Sequence, residues 1–141
     1  MAKQLGRALL VKIGDGEASE TFANLCGLNS KTLTINNTSI DVTTPDCTTP
    51  EGALWTETLA GLKNVSVSGD GFFEDSTAEA RMNTVTMQSD NQANFQIVVA
   101  DFGTYAGAFR IASLEFGGET EGGVTYSISL ESTGVVTFTA A

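Results

Sequence analysis

Apolar and polar residues alternate along most of this chain with a period of two, the mark of strands with one buried face. Leu9, Val11 and Ile13 share one parity before Gly14-Asp15-Gly16 turns the chain. Leu33 and Ile35 alternate inside a strand read over residues 32–40, and Val65 and Val67 inside one read over 63–68. Gly69-Asp70-Gly71 reads as a second turn, followed by Phe72 and Phe73. Val85 and Met87 read as a short strand, and Phe95, Ile97 and Val99 as a longer one. Phe109 and Ile111 open a strand whose phase slips, because Leu114 and Phe116 continue on the other parity; a β-bulge near Ala112-Ser113 would return all four to one face. Gly117-Gly118 and Gly122-Gly123 bracket a hairpin connection. Val124, Tyr126, Ile128 and Leu130 then alternate against Ser127 and Ser129, and Val136 and Phe138 resume that parity beyond polar residues 131–134. The pattern predicts a mainly β single domain over residues 1–141, a small antiparallel β sandwich or half-open barrel. One sheet face should pack on a core and the other meet water or a neighbour.

Helical spacing appears once, over residues 76–83. Asp75 or Ser76 can cap its start, Glu79 follows Ser76 by three residues, and Ala78, Ala80 and Met82 favour helix, with Arg81 among them. Two turns of helix should plug an open end or side of the β structure. Residues 41–62 carry no period at all. Asp41, Val42, Thr43, Thr44 and Pro45 lead in, Pro50 lies midway, and Leu54, Trp55 (the only tryptophan) and Leu59 supply apolar side chains. Loops beyond about 12–15 residues are uncommon in compact domains and are usually functional, so this one is expected to carry the function.

Composition narrows the chemistry. Of 141 residues none is histidine, which removes the commonest general base and metal ligand. Cys26 and Cys47 are too few for a zinc site and are expected to stay reduced, as small buried hydrophobes. Lys12 ends the apolar run that starts at Ala8 after four residues, short of a signal-peptide core, so the reading is a product made in the cytoplasm with no export signal. No apolar run approaches the roughly 20 residues of a membrane helix. Seventeen acids oppose seven bases, and three of the bases, Lys3, Arg7 and Lys12, lie in a first stretch of 13 residues that holds no acid. Tight nucleic-acid binding is excluded, because phosphate affinity comes from Lys and Arg. A chain this acidic can lie beside DNA without sticking to it.

No arrangement of catalytic residues emerges. Serines and threonines are many but lack a histidine to activate them, and the short Gly-Asp-Gly turns are not phosphate loops. Asp70, Glu74 and Asp75 are too sparse for a calcium loop. No cofactor or metal is indicated, and the chain reads as a non-enzyme. Two classes remain: a subunit that assembles with copies of itself, or a monomeric β-sandwich binding module for a sugar or peptide, with Trp55 and Tyr105 as candidate loop aromatics.

Six segments, in order, resemble one family. They are Ala8-Leu9-Leu10-Val11-Lys12-Ile13-Gly14-Asp15-Gly16; Ile40-Asp41-Val42-Thr43-Thr44; Trp55-Thr56-Glu57-Thr58-Leu59-Ala60-Gly61; Ser66-Val67-Ser68-Gly69-Asp70-Gly71 with Phe73-Glu74-Asp75; Phe109-Arg110-Ile111-Ala112-Ser113-Leu114-Glu115; and Ser129-Leu130-Glu131-Ser132-Thr133-Gly134-Val135-Val136-Thr137-Phe138. Their order and spacing resemble the major tail tube protein of long-tailed phages and phage-like gene transfer agents. The resemblance implies six copies in a ring, rings stacked into a tube, and sheets joined into one barrel around a lumen through which DNA passes. It implies that the loop carrying Asp41, Val42, Thr43, Thr44, Pro45, Pro50, Leu54, Trp55 and Leu59 reaches the neighbouring ring. It further implies tape-measure, terminator and distal tail proteins as partners, and a place in the tail of a virion or phage-like particle assembled in the bacterial cytoplasm.

Overall fold

A computed structural model describes residues 3–141. Eight strands and one α-helix follow a short 3-10 turn at Gly6–Ala8: β1 (Leu10–Gly14), β2 (Phe22–Asn24), β3 (Leu28–Asp41), β4 (Thr58–Phe72), α1 (Thr77–Met87), β5 (Gln92–Val99), β6 (Gly103–Gly117), β7 (Thr125–Ser132) and β8 (Thr137–Ala140). All pairings are antiparallel, in one sheet of order β2-β1-β5-β6-β7-β4-β3, and β8 takes up the side of β6 that β7 leaves.

That order carries a geometric constraint. β2 and β3 lie at opposite edges of the sheet, yet only residues 25–27 separate them. Seven flat strands at about 4.8 Å spacing would hold the edges about 29 Å apart. The four steps from Asn24 to Leu28 span at most about 14 Å. The sheet must therefore curl into a half-barrel. Gly27 sits at the seam, where its carbonyl accepts the Phe72 N–H at 3.0 Å.

The curl encloses the core. Val11 and Ile13, Phe95 and Ile97, Phe109 and Ile111, Ile128 and Leu130, Val65 and Val67 all turn inward and are buried, with Phe95 and Phe109 edge-to-face at 5.9 Å. Helix α1 closes the open side through Ala78, Met82 and Val85. The alternation predicted these strands because their inward residues are the apolar ones. The register of β6 on β7 shifts between Ile111 and Ser113, where the phase slip placed a bulge. Gly14 ends β1, and Gly16 turns with φ +79°. The glycine-rich hairpin connection joins β6 to β7, with Val124 outside the strand and exposed.

Several expectations fail, each for a physical reason. Val85 and Met87 are not a strand but the last turn of α1: two apolar residues two apart are too short a sample to separate the two periods, and Val85 is buried at helical spacing from Met82. The helix thus runs past residue 83. Ser76 is its N-cap but makes no side-chain cap bond, and Glu79 is drawn into the core instead. Gly69-Asp70-Gly71 is not a turn. It lies inside β4, between β3 and β7, and neither glycine has positive φ. Gly71 is there because a Cβ would strike the Gly27 carbonyl. Cys26 and Cys47 are free but exposed, not buried.

Two outcomes follow for chemical denaturation. Phe109→Ala should lose about 3–5 kcal/mol, as for other fully buried phenylalanines. The double change Cys26→Ser, Cys47→Ser should stay within about 0.5 kcal/mol of the parent, since both side chains are exposed and the Cys26 thiol makes only a weak contact, 3.7 Å, to Asn24 O, which a hydroxyl can keep.

Candidate assembly surface

β4 is paired on both sides only over part of its length. β7 accompanies it from Ser66 to Phe72, and beyond that β4 keeps β3 alone, as far as Thr58 against Asp41. The ladder with β7 ends where the Ser132 hydroxyl accepts the Val65 N–H at 2.8 Å. The outer halves of β3 and β4 therefore project as a two-stranded arm. The two strands stay paired out to Thr58 and Asp41, and a bulge between Asn37 and Ser39 is held by the Thr38 hydroxyl, which accepts from Leu62 N–H and donates to Leu62 O.

The arm ends in loop 42–57. Val42 N–H donates to Glu57 O at 2.9 Å, and Glu57 N–H donates to Thr43 Oγ1 at 2.8 Å, closing the neck. Asp41 Oδ1 accepts from the Thr43 hydroxyl and N–H, which hold its carboxyl below the ordinary range. Asp46 accepts Thr48 N–H in a second such turn. The loop folds on itself by polar bonds and leaves its apolar side chains out: Trp55 is 85% exposed and Leu54 63%. Of the residues expected there, Asp41 ends β3, Val42, Thr43, Thr44, Pro45, Pro50, Leu54 and Trp55 lie in the loop, and Leu59 does not. The loop is shorter than the predicted 41–62 because residues 58–62 pair with β3; Leu59 faces Ile40 across the ladder, and both are exposed.

Over β3, β4, β7 and β6 the sheet face turned away from the core is polar. Across β3, β4, β7 and β6 it reads Thr34, Ser66, Glu131, Arg110 in one row, Thr32, Ser68, Ser129, Ser113 in the next, and Ser30, Asp70, Ser127, Glu115 in a third. Arg110 alone among these is basic. Its guanidinium is engaged by Asn91 Oδ1 at 2.7 Å and by Asp90 at 3.7 Å. Arg110 is the one base in an ion pair among the described residues. Arg81 instead donates to Gly14 O, and Lys63 to Asn37.

Helix α1 serves the seam of the half-barrel. Glu79 is buried, and its Oε1 accepts from Tyr126 OH at 3.0 Å and Gly27 N–H at 3.4 Å. Ala78 and Met82 pack inward beside it, Ala80 faces solvent, and Ser76 precedes the helix.

A whole-chain likeness decides what this geometry belongs to. The profile of the phage tail tube protein family matches residues 3–138. The chain belongs to the phage tail tube protein family. A chain in the tail of an empty gene transfer agent particle, resolved with C6 symmetry, is 31% identical with a TM-score of 0.86, covering 98% of this chain and 100% of the other. A chain in the virion of a native gene transfer agent particle is 28% identical with a TM-score of 0.83 over the same shares. The SPP1 tail tube protein shares the fold, at 17% identity and a TM-score of 0.65 over 99% of this chain and 80% of that one. A search of curated protein sequences found no match. This tail tube protein is thus a structural subunit, not an enzyme, of a phage or gene transfer agent tail. No helix among the described residues is long and apolar enough to cross a membrane.

Sequence reasoning missed two features of this tail tube protein. One is the Glu79–Tyr126 bond: Ser76 followed by Glu79 has the spacing of a helix cap, and only the tertiary fold diverts the carboxylate. The other is an apolar cleft beside the arm's base, to which Val135 contributes from just beyond the polar residues 131–134.

The Tyr126 bond sets a pH response. Burial first, and the Glu79 carboxylate second, push the Tyr126 phenol far above its ordinary value of 10.0. The unfolded chain then loses this proton at lower pH than the folded one, so stability is fully present below about pH 10 and falls as pH climbs above it. Denaturant midpoints measured from pH 8 to pH 11.5 should decline, and Tyr126→Phe should flatten the decline while lowering the midpoint at pH 8.

Proposed function

We propose that this tail tube protein polymerises as stacked hexameric rings whose polar sheet faces line a net-acidic channel for DNA delivery. The observation that carries the assembly is the projecting arm. A soluble monomer has no use for an 85% exposed tryptophan at the tip of a two-stranded ribbon. An arm that buries it against the adjacent ring does. Hexameric symmetry rests on the C6 tail that holds a 31% identical chain.

The channel follows from the sheet. One face is spent on the core; over β3, β4, β7 and β6 the other is a field of serines, threonines and charged residues. Over its β3, β4, β6 and β7 rows it carries Asp70, Glu115 and Glu131 against Arg110. A wall of this kind repels the phosphate backbone and keeps water between, where lysines would gain affinity by releasing counterions from the DNA. Unpaired edges along β3 and β2 supply the groups by which neighbouring sheets join. Tape-measure protein inside the tube, with terminator and distal tail proteins at its ends, are the partners of such an assembly.

Negative-stain images of purified protein at high concentration should show rings or tubes, and particles that stay small and monodisperse would refute the reading. In tubes of Asp70→Lys, Glu115→Lys, Glu131→Lys, double-stranded DNA should be retained in low salt and released in high salt, while parent tubes retain none. Equal behaviour of the two tubes would remove these carboxylates from the channel.

A further inference from the structure

The place where the sheet splits holds an open apolar cleft. β7 leaves β4 at Ser132, β8 continues along β6 instead, and the gap between β8 and the arm's base is a cleft of about 300 Å³. Ile35 and Val65 form one wall; Tyr105, Val135, Val136 and Phe138 form the other. That volume lies at the lower end of the range in which proteins seat ligand-sized groups. Val135 is 82% exposed and Phe138 43%, so the apolar lining stands open.

We propose that Trp55 and Leu54 of one subunit's arm tip seat in this cleft of a neighbouring copy, an inference that rests on the tube reading above. Four observations select that occupant. The tip presents exposed apolar side chains that match the apolar lining of the cleft. The tip cannot reach its own cleft, because Ile35 lies six strand residues, about 20 Å, below the start of the loop. Charge agrees: residues 32–62 contain Asp41, Asp46, Glu51 and Glu57 and no base, while Lys63 is the one charged residue lining the cleft. The lining is also poor in free polar anchors for a sugar or peptide, since the Ser132 hydroxyl is already engaged by Val65 N–H.

The contact has a consequence for symmetry. Tip and cleft are different patches of one subunit, so each copy gives one contact and receives another. Such a heterologous interface does not stop at a pair but passes from copy to copy. A tube built of repeated rings needs an interface of this kind along its length.

Site-directed crosslinking tests it. In a Cys26→Ser, Cys47→Ser background, Leu54→Cys is placed in one preparation and Val135→Cys in another, leaving Trp55 intact. Under conditions in which the parent forms tubes, mixing and mild oxidation should give a covalent dimer containing one chain of each kind. Trp55→Ala, checked for folding by circular dichroism, should raise the concentration needed for polymerisation on the order of thirtyfold, the equivalent of the ~2 kcal/mol of a buried aromatic anchor. Parent tubes with no mixed crosslink, or a folded Trp55→Ala that polymerises like the parent, would overturn the contact and leave the tube reading standing. A parent that forms no tubes would overturn both.

Discussion

A three-residue link between opposite edges of a seven-strand path governs this fold. Residues 25–27 cannot span a flat sheet, so the sheet curls, and the curl defines an inside and an outside. The inside is completed by α1, which brings Glu79 to the seam where Gly27 N–H and Tyr126 OH both donate to it. A buried carboxylate is costly unless hydrogen-bonded. Here it ties together the helix, the connection between the edge strands and the central strand β7. The seam is also where side chains are least tolerated: Gly27 and Gly71 approach so closely that a Cβ on either would meet the other strand's backbone.

Because the curl occupies one face of the sheet with the core, every remaining contact must be made by the outer face, the edges and the arm. These differ in chemistry. The outer face is hydroxyl-rich and acidic, suited to water and to a repelled polyanion. The edges carry unpaired backbone groups. The arm and the cleft at its base carry exposed apolar side chains, among them Leu54, Trp55 and Val135. In the proposed tube, this division lets a chain with net charge −10 assemble with its copies. The outer-face rows carry Asp70, Glu115 and Glu131 against Arg110, while the apolar side chains of Leu54 and Trp55 stand exposed at the far end of the arm.

The strands that bury alternate side chains were legible in the sequence, down to the bulge between Ile111 and Ser113, because alternation records burial on one face. What burial does not record was not legible. Residues 58–62 look like loop because neither of their faces is buried, yet they pair with β3. Gly69 and Gly71 look like a turn because a close approach of two strands and a change of direction select the same residue. Val85 and Met87 look like strand because a helix end and a short strand share their spacing. The arm-tip residues were found by composition alone: two prolines and a lone tryptophan in a stretch without period.

The sheet's split joins these threads. β6 is flanked first by β8 and then by β7, and the step between them, at residues 133–136, is what frees β4 to leave the sheet. Were β7 to continue in register alongside β4, residues 58–65 would be pinned to the half-barrel, the arm would not project and the cleft would be filled by the strand itself. Gly134, with φ +93°, lies within that step. A backbone conformation most side chains avoid thus sits in the step from which both the knob-bearing arm and the hole beside it arise. In the proposed contact, knob and hole are then products of one irregularity, and each subunit brings one of each to the stack.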